Sequence, residues 1–106
     1  MSHLTTHILD ATAGVPATGV AVTLAGPDGV AVASGQTDAD GRLALGPDVL
    51  EPGDYSLRFD TRPYFAAQGV ETFYPSVTVA FTVADGPHYH VPLLLSPFAY
   101  STYRGS

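Results

Sequence analysis

The stretch VAVTLAGPDGVAVASGQTDADGRLAL, residues 20–45, decides the fold. Three short runs (20–26, 30–37 and 42–45), rich in valine, leucine and alanine, are separated by GPDG at 26–29 and TDADG at 37–41. Both separators carry turn chemistry: aspartate bonds the backbone just ahead of it, and glycine accepts a positive φ. In the first run Val20, Val22 and Leu24 share one face, which is the period of a half-buried strand. Outward from this core the same punctuation returns after about every ten residues, the spacing of a sandwich or barrel. It reads DATAGVPATG at 10–19, GPDVLEPGD at 46–54, ADGP at 84–87 and SPF at 96–98.

The intervening runs are HLTTHILD (3–10), DYSLRFDT (54–61), SVTVAFTV (76–83), HYHVPLLL (88–95) and AYSTYRG (99–105). With the first three they make eight strands. One segment departs from the pattern: DTRPYFAAQG, 60–69, has an early proline, a compact run that tolerates helix, and then Gly69. That predicts a helix of about two turns with a glycine stop. The expected architecture is all-β: a two-sheet, mostly antiparallel sandwich of about eight strands with one short helix, forming one domain over 1–106.

Composition narrows the chemistry. An apolar share of 45% suits a packed core. There is no cysteine, which removes disulfides, thiolate nucleophiles and cysteine zinc sites, and no lysine, which removes Schiff-base catalysis. The cations are Arg42, Arg58, Arg62 and Arg104, and the net charge of −6 argues against nucleic acid or an anionic membrane as partner. No apolar run has the length of a membrane span, and MSHLTTHILD lacks the basic and apolar regions of a secretory signal. A cytoplasmic location is expected.

Strand parity sorts the reactive side chains. In HLTTHILD the face of Leu4, Thr6 and Ile8 is the core candidate, which turns His3, Thr5, His7 and Leu9 outward. In HYHVPLLL, His88, His90, Pro92 and Leu94 oppose Tyr89, Val91, Leu93 and Leu95. In the last strand Ser101, Tyr103 and Gly105 alternate with Tyr100, Thr102 and Arg104. A histidine-bearing face that is also part apolar suggests a partner, and the simplest partner is a second copy of the chain. The bland alternatives carry weight at this point. A single strand histidine is usually structural, and Arg42 follows a turn signature. His88 and His90 stand at i and i+2 with no carboxylate beside them, so no metal site is assigned. YRGS is not the strained strand-to-helix turn of a serine nucleophile. Pattern alone names no reaction.

Three stretches in order, HILD (7–10), TDADGR (37–42) and HYHVPLLLSPFAYSTYRGS (88–106), resemble the transthyretin-like family of 5-hydroxyisourate hydrolases. GDYSLRFDTRPYF and FYPSVTVAFTV extend the likeness over essentially the whole chain, and the terminal YRGS is its most specific part. TDADGRLAL alone would indicate only the prealbumin-like fold. The resemblance implies an eight-stranded sandwich with one helix, assembled as a homotetramer with sites at the dimer–dimer interface. It implies hydrolysis of 5-hydroxyisourate at a ring amide to 2-oxo-4-hydroxy-4-carboxy-5-ureidoimidazoline, a step of urate breakdown, with no cofactor and no metal. It further implies catalytic roles for His7, Arg42, His90 and Ser106, and substrate binding by His7, Arg42, Tyr103, Arg104 and Gly105. His88 matches no catalytic position.

That set suits the reaction. Amide hydrolysis requires an activated water, a stabilised oxyanion and a proton for the leaving nitrogen. His7 and His90 are assigned to water activation and proton transfer, with the choice of base between them open. Arg42 is assigned to charge stabilisation. Tyr103 offers a ring, and Ser106 a hydroxyl and a carboxylate. Two rivals differ in class: a transthyretin-type carrier, which would lack the histidine pair, the arginine and YRGS, and a structural sandwich used as a spacer.

Overall fold

The computed structural model describes residues 2–106. Nine strands and one helix follow in order: β1 (Leu4–Asp10), β2 (Val15–Pro16), β3 (Ala21–Ala25), β4 (Ala31–Gln36), β5 (Arg42–Leu45), β6 (Gly53–Asp60), α1 (Thr61–Ala66), β7 (Val77–Val83), β8 (Tyr89–Ser96) and β9 (Ala99–Thr102). The strand beyond the expected eight is β2, two residues inside the turn-rich 10–19 segment that pair with Leu9 and Asp10. One sheet runs β2-β1-β8-β9, with β5 sharing the β2 side of β1; the other runs β4-β3-β6-β7. This is the expected two-sheet sandwich.

One pairing departs from the antiparallel expectation. β1 and β8 run parallel, from Leu4 opposite Tyr89 to Asp10 opposite Leu95. They are neighbours in space but separated by most of the chain, so no hairpin turn dictates their direction. Both inner faces follow from alternation. Leu4, Ile8, Tyr89, Val91, Leu93 and Leu95 meet Val22, Leu24, Leu57, Phe59, Val77 and Val83 in the buried core. Apolar burial of this kind is the main stabilising contribution, about 1.5–3 kcal/mol per large side chain. Thr6 reaches the same inner face and resolves its polarity by donating to the Val91 carbonyl at 2.6 Å.

The helix is shorter than two full turns, yet it stops as expected. Val70 N–H bonds Phe65 O and Gly69 N–H bonds Ala66 O, the paired bonds that close a helix at a glycine. Phe65 is buried in the hydrophobic core. The neighbouring Tyr64 hydroxyl donates to the buried Asp10 carboxylate at 2.8 Å. Burial, and then that bond, push the Tyr64 pKa upward. Among the described residues no helix is long and apolar enough to cross a membrane.

Two expectations about the outer face are corrected. His3 does not point outward; it is buried at 7% exposure, one residue before β1, where strand parity no longer applies. Its Nδ1 accepts from Leu50 N–H at 2.9 Å, and its Nε2 donates to the Gly86 carbonyl at 2.7 Å, so the ring ties two loops together. Pro92 is likewise buried rather than open, because the chain's tail packs on it.

Candidate active site

The site is built on the outer face of the mixed sheet. Antiparallel pairing sets His7 opposite Arg42, and parallel pairing sets Thr5 opposite His90, so all four side chains emerge from one face. His88, two residues before His90, joins them: its ring lies 6.4 Å from that of His90, nearly parallel to it. Thr5, Arg42, Ala44, His88, His90 and Ser106 line a groove of about 380 Å³, and His7 stands beside it.

TDADG does more than turn the chain. The Asp38 carboxylate accepts from the backbone N–H groups of Asp40 at 2.9 Å and Arg42 at 3.0 Å. Gly41 sits at φ +74°, where a Cβ would run into the Ile8 carbonyl and press on Pro16 and Ala17. Only glycine meets both demands cheaply. The turn then aims the Asp40 carbonyl at His7, which donates to it from Nε2 at 2.9 Å and keeps Nδ1 as its open nitrogen. With Asp38 occupied by the turn's own amides, Arg42 has no ion-pair partner among the described residues, and its charge is left for the groove.

The tail is shaped by Pro92. β9 pairs with β8 from Ser96–Ala99 to Leu93–Thr102, and the pairing reappears in the same register at His90–Gly105. The ladder is interrupted opposite Pro92, which has no N–H to give. Thr102 partly compensates by donating its hydroxyl to the Pro92 carbonyl at 2.7 Å. Gly105 N–H then bonds His90 O at 2.9 Å, and a side chain on Gly105 would collide with the His90 ring and Pro92. Gly105 is thus the residue that lets the tail lie against His90 and bring Ser106 into the groove.

Tyr103 and Arg104 are not brought into the groove with Arg42 and Ser106. Arg104 falls on the other face of the strand and stacks over the Tyr89 ring at 4.8 Å. Both border a more apolar cleft between the tail and β7, lined also by Val79, Phe81 and Val91, which meets the groove at His90. Sequence reasoning missed Thr5. Its hydroxyl lies 2.8 Å from His90 Nδ1 and 2.9 Å from His88 Nε2. Its outward parity was readable, but the partners come from a strand more than eighty residues away.

Electrostatics favour a neutral His90. Burial pushes its pKa below the usual 6.5; a backbone hydrogen bond with Thr5 opposes this, and the nearby charges of Arg42, His88 and His7 push it lower again. The groove therefore holds an uncharged imidazole beside a permanent cation, a pairing suited to taking a proton from water while holding a developing negative charge.

A prealbumin-type sandwich with two histidines and an arginine on its outer sheet face defines a class, and residues 4–105 match the family model described as the HIUase/Transthyretin family. The chain belongs to that family. It is 43% identical to the 5-hydroxyisourate hydrolase of Mus musculus over 113 residues, covering 99% of this chain and 96% of the relative. It is 46% identical to the 5-hydroxyisourate hydrolase of Salmonella dublin, covering 97% of this chain and 80% of that protein. Among solved structures, the 5-hydroxyisourate hydrolase of Klebsiella pneumoniae superposes with a TM-score of 0.92 at 40% identity, each chain covered in full. Transthyretin from Sparus aurata superposes with a TM-score of 0.90 at 35% identity, over 99% of this chain and 97% of that one. With relatives of this kind over nearly its whole length, the chain is an enzyme of the hydrolase class.

Proposed function

We propose that this chain hydrolyses 5-hydroxyisourate, opening the six-membered ring to give 2-oxo-4-hydroxy-4-carboxy-5-ureidoimidazoline. The observation that carries the proposal is the convergence of Arg42, His90 and Ser106 on one groove, with His7 paired to Arg42 at its border, in a chain similar to 5-hydroxyisourate hydrolases over nearly its full length. His90, held neutral, accepts a proton from water through Nε2, since its Nδ1 is engaged by Thr5. The resulting hydroxide adds to the ring amide carbon. Arg42 stabilises the oxyanion through paired N–H donors. His7 offers Nδ1 to orient water or substrate, and Ser106 presents its polar atoms from the tail. The proton gained by His90 then goes to the leaving nitrogen.

The same reading includes a homotetramer with its sites between dimers. It is supported by the groove's position on an open sheet face, and by β7 and β9, edge strands that flank the apolar cleft on one side of the sandwich. The decisive experiment generates 5-hydroxyisourate from urate with urate oxidase and follows its absorbance. Loss faster than in buffer, proportional to added protein, is expected; loss at the buffer rate overturns the reading. Sedimentation of the active protein tests the assembly, and a fully active monomer would overturn that part.

A further inference from the structure

One hydroxyl lies between two imidazoles. Thr5 Oγ1 is 2.8 Å from His90 Nδ1 and 2.9 Å from His88 Nε2. A hydroxyl has one hydrogen to give, so only one ring nitrogen receives it; the other nitrogen at that distance must carry its own hydrogen and donate to the oxygen. Thr5 Oγ1 has these two ring nitrogens as its hydrogen-bond partners among the described residues, and with the hydroxyl hydrogen given to one of them two arrangements follow for neutral rings. In the first, Thr5 donates to His88 Nε2, and His90 donates from Nδ1–H to Thr5, which leaves a lone pair on His90 Nε2. In the second, His88 Nε2–H donates to Thr5, Thr5 donates to His90 Nδ1, and His90 Nε2 carries hydrogen. Only the first makes His90 a base toward the groove.

We infer that Thr5 and His88 are positioning residues for hydrolysis: acting through the Thr5 hydroxyl, His88 sets which nitrogen of His90 carries hydrogen. The inference rests on the hydrolytic reading of the groove. The proton count closes over one cycle of base action. His90 Nε2 takes a proton from water, its Nδ1 proton moves to the Thr5 oxygen, and the Thr5 hydroxyl proton moves to His88 Nε2. No bond is left unfilled. The positive charge has passed to half-buried His88, and His90 is neutral with Nε2–H directed at the leaving nitrogen. As that proton is given up, the His88 Nε2 proton returns to the Thr5 oxygen and the Thr5 hydroxyl proton to His90 Nδ1, which restores the starting arrangement. The other charged or titratable groups around His90 are His7 on β1, Arg42 on β5, Asp38 in the turn before it and the Ser106 tail on the groove side, and Tyr89, Tyr103 and Arg104 on the side of the apolar cleft. None of them has a hydrogen bond to His90 Nδ1.

The test compares wild type with His88→Phe, Thr5→Val and Thr5→Ser, reading ring tautomers by long-range ¹H–¹⁵N correlation spectra and rates on enzymatically generated 5-hydroxyisourate. In wild type above the pKa of His90, hydrogen should sit on Nδ1. In His88→Phe the freed Thr5 hydroxyl should donate to Nδ1, and the hydrogen should move to Nε2. The same substitution, and Thr5→Val, should lower kcat by roughly ten- to a hundredfold with KM changed by less than about twofold, and should reshape the acidic limb of the pH–rate profile. Thr5→Ser keeps the hydroxyl and should restore both the tautomer and the rate. An unchanged His90 tautomer in His88→Phe, or a wild-type kcat and pH profile in Thr5→Val, overturns the inference. If His88→Phe does not fold, the Thr5 pair decides alone. A wild-type protein inactive on 5-hydroxyisourate would defeat the substrate reading, while the spectra would still decide the coupling.

Discussion

The two faces of the mixed sheet are made from the same strands and differ in almost everything else. On β1 and β8, Leu4, Thr6, Ile8, Tyr89, Val91, Leu93 and Leu95 point inward and are buried. Their chain neighbours Thr5, His7 and His90 point outward, Thr5 and His90 into the groove and His7 beside it. Adjacent residues less than four ångströms apart along the backbone thus answer to different physics, volume and dryness on one side and charge and hydrogen on the other. Stability and turnover should therefore separate cleanly between neighbours.

The largest effect should come from the inner face. Leu93 is fully buried, and Leu93→Ala should cost about 2–5 kcal/mol in unfolding free energy measured by chemical denaturation, with kcat per folded molecule little changed. Equal losses in both quantities would break the separation.

On the outer face His7→Ala, Arg42→Ala and His90→Ala should each reduce turnover by roughly a hundredfold or more, the scale of a lost base or oxyanion donor. Melting temperatures should stay near wild type. Removal of Tyr103–Ser106 should act in the same direction, with a small stability cost from the lost Arg104–Tyr89 stacking. Full activity in the shortened chain would show that the tail covers the groove without serving it.

Gly41 is where the two faces meet, since its turn orients His7 and Arg42 while its missing Cβ lies against the backbone of β1. Gly41→Ala should cost about 1–3 kcal/mol through the positive φ and the clash. It should also lower turnover, which a pure surface turn would not do. Unfolding curves and initial rates on the same sample check both.

The smallest effect concerns pH. His90 titrates below 6.5 in the folded chain, so the unfolded chain binds that proton more readily. The contribution of His90 to stability is therefore present above 6.5 and is lost as pH falls through the folded value. Melting temperature against pH should show less acid sensitivity in His90→Gln over this window. An unchanged slope would mean that His90 is not the group responsible.

Much of this was written along the chain. Period-two alternation told inward Leu4 and Ile8 from outward Thr5 and His7, because neighbouring side chains on a strand must take opposite faces. Asp-Gly turns and the Gly69 stop were legible because they depend on a few consecutive dihedral angles. The motifs HILD, TDADGR, HYH and YRGS pointed to the family that the whole-chain match establishes. Tertiary structure alone decided the parallel pairing of β1 with β8, the burial of His3 between two loops, and the packing of the tail on Pro92. It also separated Arg104 from the groove and set Thr5 between His88 and His90. Each of these is a meeting of segments remote in sequence. Local pattern states which way a side chain points, but the identity of what it meets there depends on strand order, and strand order is chosen by the packing of the whole core.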